Sequence, residues 1–271
     1  MTATDLARVA DAAAARDGVA PFNEASRLAM AEQREPRVLA TRTDGDAVVA
    51  AAYAVDDAPV ELVVHPDHRR RGLGRDLLDA LLADGEARFW AHGDLPAAQA
   101  LAASAGLRAE RTLLVLRLEL TEAPAPERVP AGVTIRTFGP DDVDAVVAVN
   151  ARAFAAHPEQ GAMDRADFER RAASDWFDPE GLFVAEADGR VIGFHWTKVE
   201  DGVGEVYVVG VDPDRHGGGL GTALTARGLR HLWESGLRVV DLYVEGDNAP
   251  ALAVYRRLGF VTHAKDVLYT R

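Results

Sequence analysis

The sequence predicts an α/β protein of two tandem domains, each a mixed, mostly antiparallel sheet flanked by helices. Three observations carry this expectation. The chain has 271 residues, against roughly 150 for an average domain. Pro124, Pro126 and Pro130 punctuate a stretch of charged and small residues. Each proline removes an amide donor and keeps its predecessor extended, so 121–131 reads as a linker between domains at 1–120 and 132–271. On both sides of the linker the same succession of elements recurs, as a diverged duplication would leave it.

In the first half the apolar run Val38–Thr41, a turn at Asp44-Gly45, the run Ala47–Val55 and then Val60–Val64 read as an antiparallel meander. Pro66 and a glycine-rich turn follow. The next segment spaces Leu73, Leu77, Leu78, Leu81 and Leu82 close to a 3.6-residue period, the mark of an amphipathic helix. The second half repeats this with Leu182–Ala187, a turn at Asp188-Gly189, Val191–Lys198, Glu205–Val211, Pro213, and a helix carrying Leu220, Leu224, Leu229 and Leu232. Gly72 and Gly219 stand 147 residues apart, and Gly106 and Gly259, which close a later helix in each half, stand 153 apart. Tyr243–Glu245 reads as the end of a strand, and Asn248 is suited to cap the helix that follows.

Composition limits the partners. With 48% hydrophobic and 27% charged residues the chain can build its own cores. A net charge of −13 repels polyanions, so no nucleic acid or anionic membrane is expected, and the run Arg69-Arg70-Arg71 is too short to change that. The absence of cysteine excludes disulfides, thiolate metal sites and a cysteine nucleophile. His65-x-x-His68 has no further ligands at metal spacing, so no metal is expected. The N-terminus has neither a basic start nor an apolar run, and no 18-residue apolar stretch follows, which predicts a cytoplasmic protein, taken here as a monomer.

A glycine-rich turn between strand and helix presents amides at the positive end of the helix dipole and suits a phosphate. A Walker loop would need lysine where Arg75 and Thr222 stand, and a dinucleotide fingerprint would need glycine or alanine at Thr222. A purely structural turn is the plain alternative for one copy, and two copies in register argue against it.

Arg69 to Gly74 matches the acetyl-CoA pyrophosphate loop of the GNAT superfamily of N-acetyltransferases: Gln or Arg, two variable residues, Gly, one variable residue, then Gly or Ala. His216 to Gly221 departs from it at the first position. Local strings resemble the mycothiol synthase family more narrowly: Asp17–Pro21, Phe154–Gly161, Trp176–Pro179, Gly193–Lys198 and Gly204–Pro213. That resemblance covers nearly the whole chain. It implies transfer of acetyl from acetyl-CoA, the one co-substrate, to the cysteinyl amine of a cysteinyl-glucosaminyl-inositol, the small molecule desacetyl mycothiol, in a ternary complex and without a metal. For acetyl-CoA it implies Val209, Gly210, Val211, His216, Gly217, Gly218, Gly219, Leu220, Gly221, Thr222 and Asn248 in the second half. In the first half the corresponding set is Leu62, Val63, Val64, Arg69, Arg70, Arg71, Gly72, Leu73 and Gly74. For the acceptor it implies Glu24, Glu159, Lys198, Glu205 and Tyr243.

Two residues are expected to do chemistry. Thioester aminolysis releases a thiolate, so a phenol near it is useful as an acid, and Tyr255 stands where the superfamily places one. The attacking amine must lose a proton, and Glu205, a carboxylate in an otherwise apolar strand, is the candidate base. By the repeat offsets Ala58 and Ala102 face Glu205 and Tyr255, and Leu95 faces Asn248, so the first half is expected to be non-catalytic while able to bind acetyl-CoA. Acetylation of another small amine, or acetyl-CoA sensing without turnover, stay open as alternatives.

Overall fold

The computed structural model describes residues 3–155 and 160–271, with side chains from residue 5 onward. It divides into two compact units, 1–114 with 245–247 and 264–271, and 115–244 with 248–263.

In the first unit α1 (Ala3–Asp17) and α2 (Glu24–Ala31) precede a meander of β1 (Val38–Asp44), β2 (Ala47–Ala54) and β3 (Val60–Val64). After it come α3 (Leu73–Ala83), β4 (Arg88–Ala91), α4 (Pro96–Ser104) and the start of β5 (Arg108–Glu119). The second unit takes the rest of β5, then β6 (Thr134–Thr137), α5 (Val143–Ala153), α6 (Arg165–Ala172), β7 (Leu182–Ala187), β8 (Arg190–Glu200) and β9 (Val203–Val211). It continues with α7 (Leu220–Glu234), β10 (Val239–Glu245) and α8 (Ala249–Arg257), and the chain ends on β11 (Val261–Thr270), whose last residues belong to the first unit. Strand order in the first unit is β1-β2-β3-β4-β11, and in the second β5-β10-β9-β8-β7-β6. In each meander neighbours are antiparallel, whereas β3–β4 and β9–β10 are parallel.

Both faces of each sheet are covered, which explains why the central strands read as unbroken apolar runs. On β2, Val48, Ala51, Tyr53 and Val55 pack with Leu6, Val9 and Ala13 of α1, while Ala52 and Ala54 pack with Leu78 and Leu81 of α3. In the second unit Val146 and Val149 of α5 and Phe168 of α6 meet Phe194, Trp196 and Val208. The opposite face takes Leu220 and Leu224 of α7 against Ala185, Ala187 and Ile192.

Where α7 crosses β8 the fit leaves no room. His195 is fully buried, its Nδ1 lies 2.7 Å from the Leu224 carbonyl, and burial lowers the ring to about 4, so it is neutral with Nδ1–H donating. A Cβ on Gly228 would stand 2.1 Å from that ring. Gly228→Ala should therefore destabilise by about 2–3 kcal/mol, read by urea unfolding. Gly218→Ala, whose Cβ would meet open space without a left-handed φ, should be near neutral.

A second buried cluster fastens the first unit. His92 holds Glu61 at 2.6 Å through Nε2 and Asp266 at 3.0 Å through Nδ1. Glu61 also accepts the Asn23 amide and Asp266 the Gly93 amide. Burial opposes charge on the ring, but its hydrogen bonds to both carboxylates, together with their charges, outweigh this and raise His92 to about 9. A raised value means the stabilisation is complete below about pH 6.5 and is lost as pH climbs through about 9. The melting-temperature gap between wild type and His92→Gln should accordingly be widest near neutrality and narrow above about pH 9. A gap independent of pH would contradict a charged ring.

Candidate functional site

The two glycine-rich loops are built alike, residue for residue. His65 and Asp212 each cap the turn by accepting the amide two residues on, from Asp67 and Asp214. Arg69 Nε donates to the Val64 carbonyl at 3.1 Å, and His216 Nε2 lies 3.1 Å from the Val211 carbonyl. The departure at His216 thus preserves the same brace to the strand end. The guanidinium of Arg69 is engaged by both oxygens of Asp17 at 2.7 and 2.6 Å. Gly72 and Gly219 cap α3 and α7 in the left-handed region, at φ 84° and 82°. At the other left-handed position Gly217 (φ 90°) is matched by Arg70 (φ 63°). The first intrahelical bonds run from Asp76 to Gly72 and from Ala223 to Gly219. The amides of Leu73, Gly74 and Arg75, and of Leu220, Gly221 and Thr222, therefore precede the helical ladder and suit an anion.

Beside each loop a parallel strand pair parts. β9 and β10 pair at Gly204–Val240 and Glu205–Asp241, and β3 and β4 at Val60–Phe89 and Glu61–Trp90. The Asp212 amide turns to β8, bonding the Ile192 carbonyl, so strand alternation turns the amides of Val209 and Val211 to the side where β10 has left. In the first unit the His65 amide bonds Val49, which turns those of Leu62 and Val64 the same way. Gly210 lies opposite Phe194, where a Cβ would come within 2.5 Å of the ring. A bulge between Trp196 and Thr197 makes Tyr207 the extra residue of β9.

At the closed end of the second gap, Lys198, Glu205 and Asp241 stand directly opposite one another on β8, β9 and β10. A pocket of about 200 Å³ there is walled by Glu200, Asp201, Val203, Gly204, Glu205, Asp241 and Tyr243. Lys198 is 4% exposed, pairs with Glu200 at 3.1 Å, and holds its ammonium over the rings of Trp176 and Tyr207 at 5.1 and 5.7 Å. Of the expected acceptor residues, Lys198, Glu205 and Tyr243 are thus brought together. Glu24 opens α2 in the first unit, and Glu159 lies outside the described residues. Asn248 caps α8, its Oδ1 accepting the Ala251 amide at 3.1 Å. On that helix Tyr255 packs edge-on against Phe260, and burial raises its phenol to about 12.

The roomier cavity, about 580 Å³, lies in the first unit. It gathers Leu62, Val63, Val64, Arg69, Arg70, Gly72, Leu73 and Gly74 with the apolar faces of Phe89, Trp90 and Leu101. The closed end of the first strand gap holds a carboxylate that offset counting misses. Ala58 precedes β3, and the residue at the ladder position of Glu205 is Glu61, 1% exposed and tied to His92. Sequence reading likewise passed over Asp241 and Arg117, and took Trp176 and Tyr207 only as members of the resemblance strings, without a role at the site. One available signal was composition: Lys198 is one of two lysines in a chain that otherwise uses arginine.

Comparison with known proteins agrees with this architecture. Residues 150–260 match the acetyltransferase (GNAT) family, and 34–107 an acetyltransferase (GNAT) domain. A GCN5-related N-acetyltransferase from Sphaerobacter thermophilus superposes with a TM-score of 0.73 at 25% identity, covering 99% of this chain and 92% of that one. A tandem GNAT protein from the clavulanic acid biosynthesis pathway gives 0.72 at 24% identity, with 100% and 94% covered, and speaks for the fold. The mycothiol acetyltransferase of Clavibacter sepedonicus is 54% identical over 97% of this chain and 90% of its own length. That of Streptomyces coelicolor is 51% identical over 95% and 87%. At this identity over nearly its full length, the chain belongs to the mycothiol acetyltransferase family, acyltransferases built on two tandem GNAT domains.

Proposed function

We infer that the chain transfers acetyl from acetyl-CoA to the cysteinyl amine of desacetyl mycothiol, in a ternary complex, with the second domain (132–271) doing the chemistry. The observation that carries this reading is the placement of Glu205 in an acidic pocket at the closed end of a strand gap whose other end is the glycine-rich loop. Loop amides at Leu220, Gly221 and Thr222 suit the pyrophosphate, and the Val209 amide suits the thioester carbonyl as negative charge develops on it. Acetyl-CoA supplies the electrophilic acyl carbon. Glu205 takes the proton the neutral amine gives up as the new C–N bond forms, while Lys198, Tyr243 and the neighbouring carboxylates orient a hydroxyl-rich acceptor. Tyr255 returns a proton to the departing thiolate. Its raised value keeps it protonated throughout the neutral range, so it can donate but not act as a base there. The first domain (1–120) takes acetyl-CoA without turning it over, since Glu61 is bound to His92 and no phenol stands at Ala102. We place the reaction in the cytoplasm, with the chain acting as a monomer.

Acetyl-CoA consumption with desacetyl mycothiol beside a panel of aminoglycosides and polyamines tests the reading. A clear preference for another amine would overturn it. Tyr255→Phe should lower turnover on the order of 10²-fold with acetyl-CoA affinity little changed. In the wild type no alkaline loss attributable to this phenol should appear below about pH 11. Gly221→Trp should abolish turnover and Gly74→Trp should spare it, once melting curves establish that both variants fold. Equal losses would contradict the assignment of catalysis to one domain.

A further inference from the structure

The row across the second sheet continues past Glu205. Arg117 on β5 grips Asp241 with two parallel hydrogen bonds, Nε to Oδ1 and Nη2 to Oδ2, both at 2.7 Å. The charges therefore run Lys198, Glu205, Asp241, Arg117 over four neighbouring strands. Residues directly opposite on adjacent strands hold their Cβ atoms about 5 Å apart on the same face. Two carboxylates at that spacing penalise each other's ionisation unless a cation answers one of them. Lys198, with its ammonium against Glu200 and the two aromatic rings, does not serve Asp241 among the described contacts. Arg117 does, and a bidentate grip also draws the Asp241 oxygens toward β5.

We propose that Arg117 and Asp241 form a positioning pair that sets the charge environment of Glu205, so that Glu205 accepts the acceptor amine's proton while a second carboxylate stands beside it. This rests on Glu205 as the base. Among the described residues, the other charged and titratable groups around this row are Lys198 and Glu200 on β8, Asp201 in the turn after it, Tyr207 on β9 with Arg171 of α6 on its hydroxyl, Tyr243 on β10, and Glu119 near Arg117 on β5. None of these reaches both oxygens of Asp241 as Arg117 does.

Removing the arginine leaves Asp241 uncompensated, which strengthens proton binding at Glu205. Removing the aspartate leaves Arg117 uncompensated, which weakens it. With the full-length enzyme, acetyl-CoA and desacetyl mycothiol, the acidic limb of the kcat/KM profile should move up by about 0.5–1 pH unit in Arg117→Gln and down by a similar amount in Asp241→Asn. Arg117→Lys and the double variant Arg117→Gln/Asp241→Asn should lie near the wild-type limb. A merely structural pair would lower melting temperature and overall rate while leaving every limb in place, and that result overturns the proposal. Should Arg117→Gln not fold, the downward shift in Asp241→Asn and the return in the double variant decide alone. Glu205→Gln separates the two readings. If its profile keeps the limb, Glu205 is not the base and both readings fall; if the limb disappears but Arg117→Gln and Asp241→Asn do not move it, this inference alone falls.

Discussion

The ladder between β9 and β10 ends at Glu205–Asp241, and the layout of the second unit's candidate site depends on that break. A parallel pair that stayed zipped would spend the amides of Val209 and Val211 on the neighbouring strand. Parted, it leaves a row of aligned donors along one wall. The glycine loop stands at one end and the charged row at the other. Side chains at the closed end are thus held by sheet register, a more rigid support than a loop gives. The bulge at Tyr207 adds to this, because an extra residue bends its strand and changes which face later side chains take.

Much of this was legible in the chain. The meanders, the helices after each loop and the cap at Asn248 follow from apolar spacing and from what glycine, proline and asparagine permit, which are local properties. The glycine loops were legible for the same reason, while the left-handed caps at Gly72 and Gly219 are what the structure adds. What stayed hidden depends on register between distant segments. Counting back from the loops pairs Glu205 with Ala58, but the first ladder ends three residues before its strand does and the second six, so the matching carboxylate is Glu61. Linear offset cannot see where two strands part. Arg117 and Asp241 lie 124 residues apart and read singly as ordinary surface charges. Trp176 could be read as core, and gave no hint of standing over an ammonium.

The duplicated units also show one geometry under different loads. Both close their gap on a carboxylate, yet His92, itself held by Asp266, clamps Glu61 in the first, whereas Glu205 lines a pocket in the second. The first gap keeps the larger cavity and an apolar lining. The two units thus differ in what surrounds this carboxylate position and not in the residue that occupies it.

The near-replacement of lysine by arginine has a chemical consequence for a protein of an acyltransferase family. An ε-amine is itself an acceptor for an activated acyl group, and a guanidinium is a very poor one. This chain carries two lysines. Lys198 holds its ammonium against Glu200 and two aromatic rings, and Lys265 is paired with Asp94 at 2.8 Å. Its basic surface is almost wholly inert to the thioester, so adventitious self-modification has few side chains to act on.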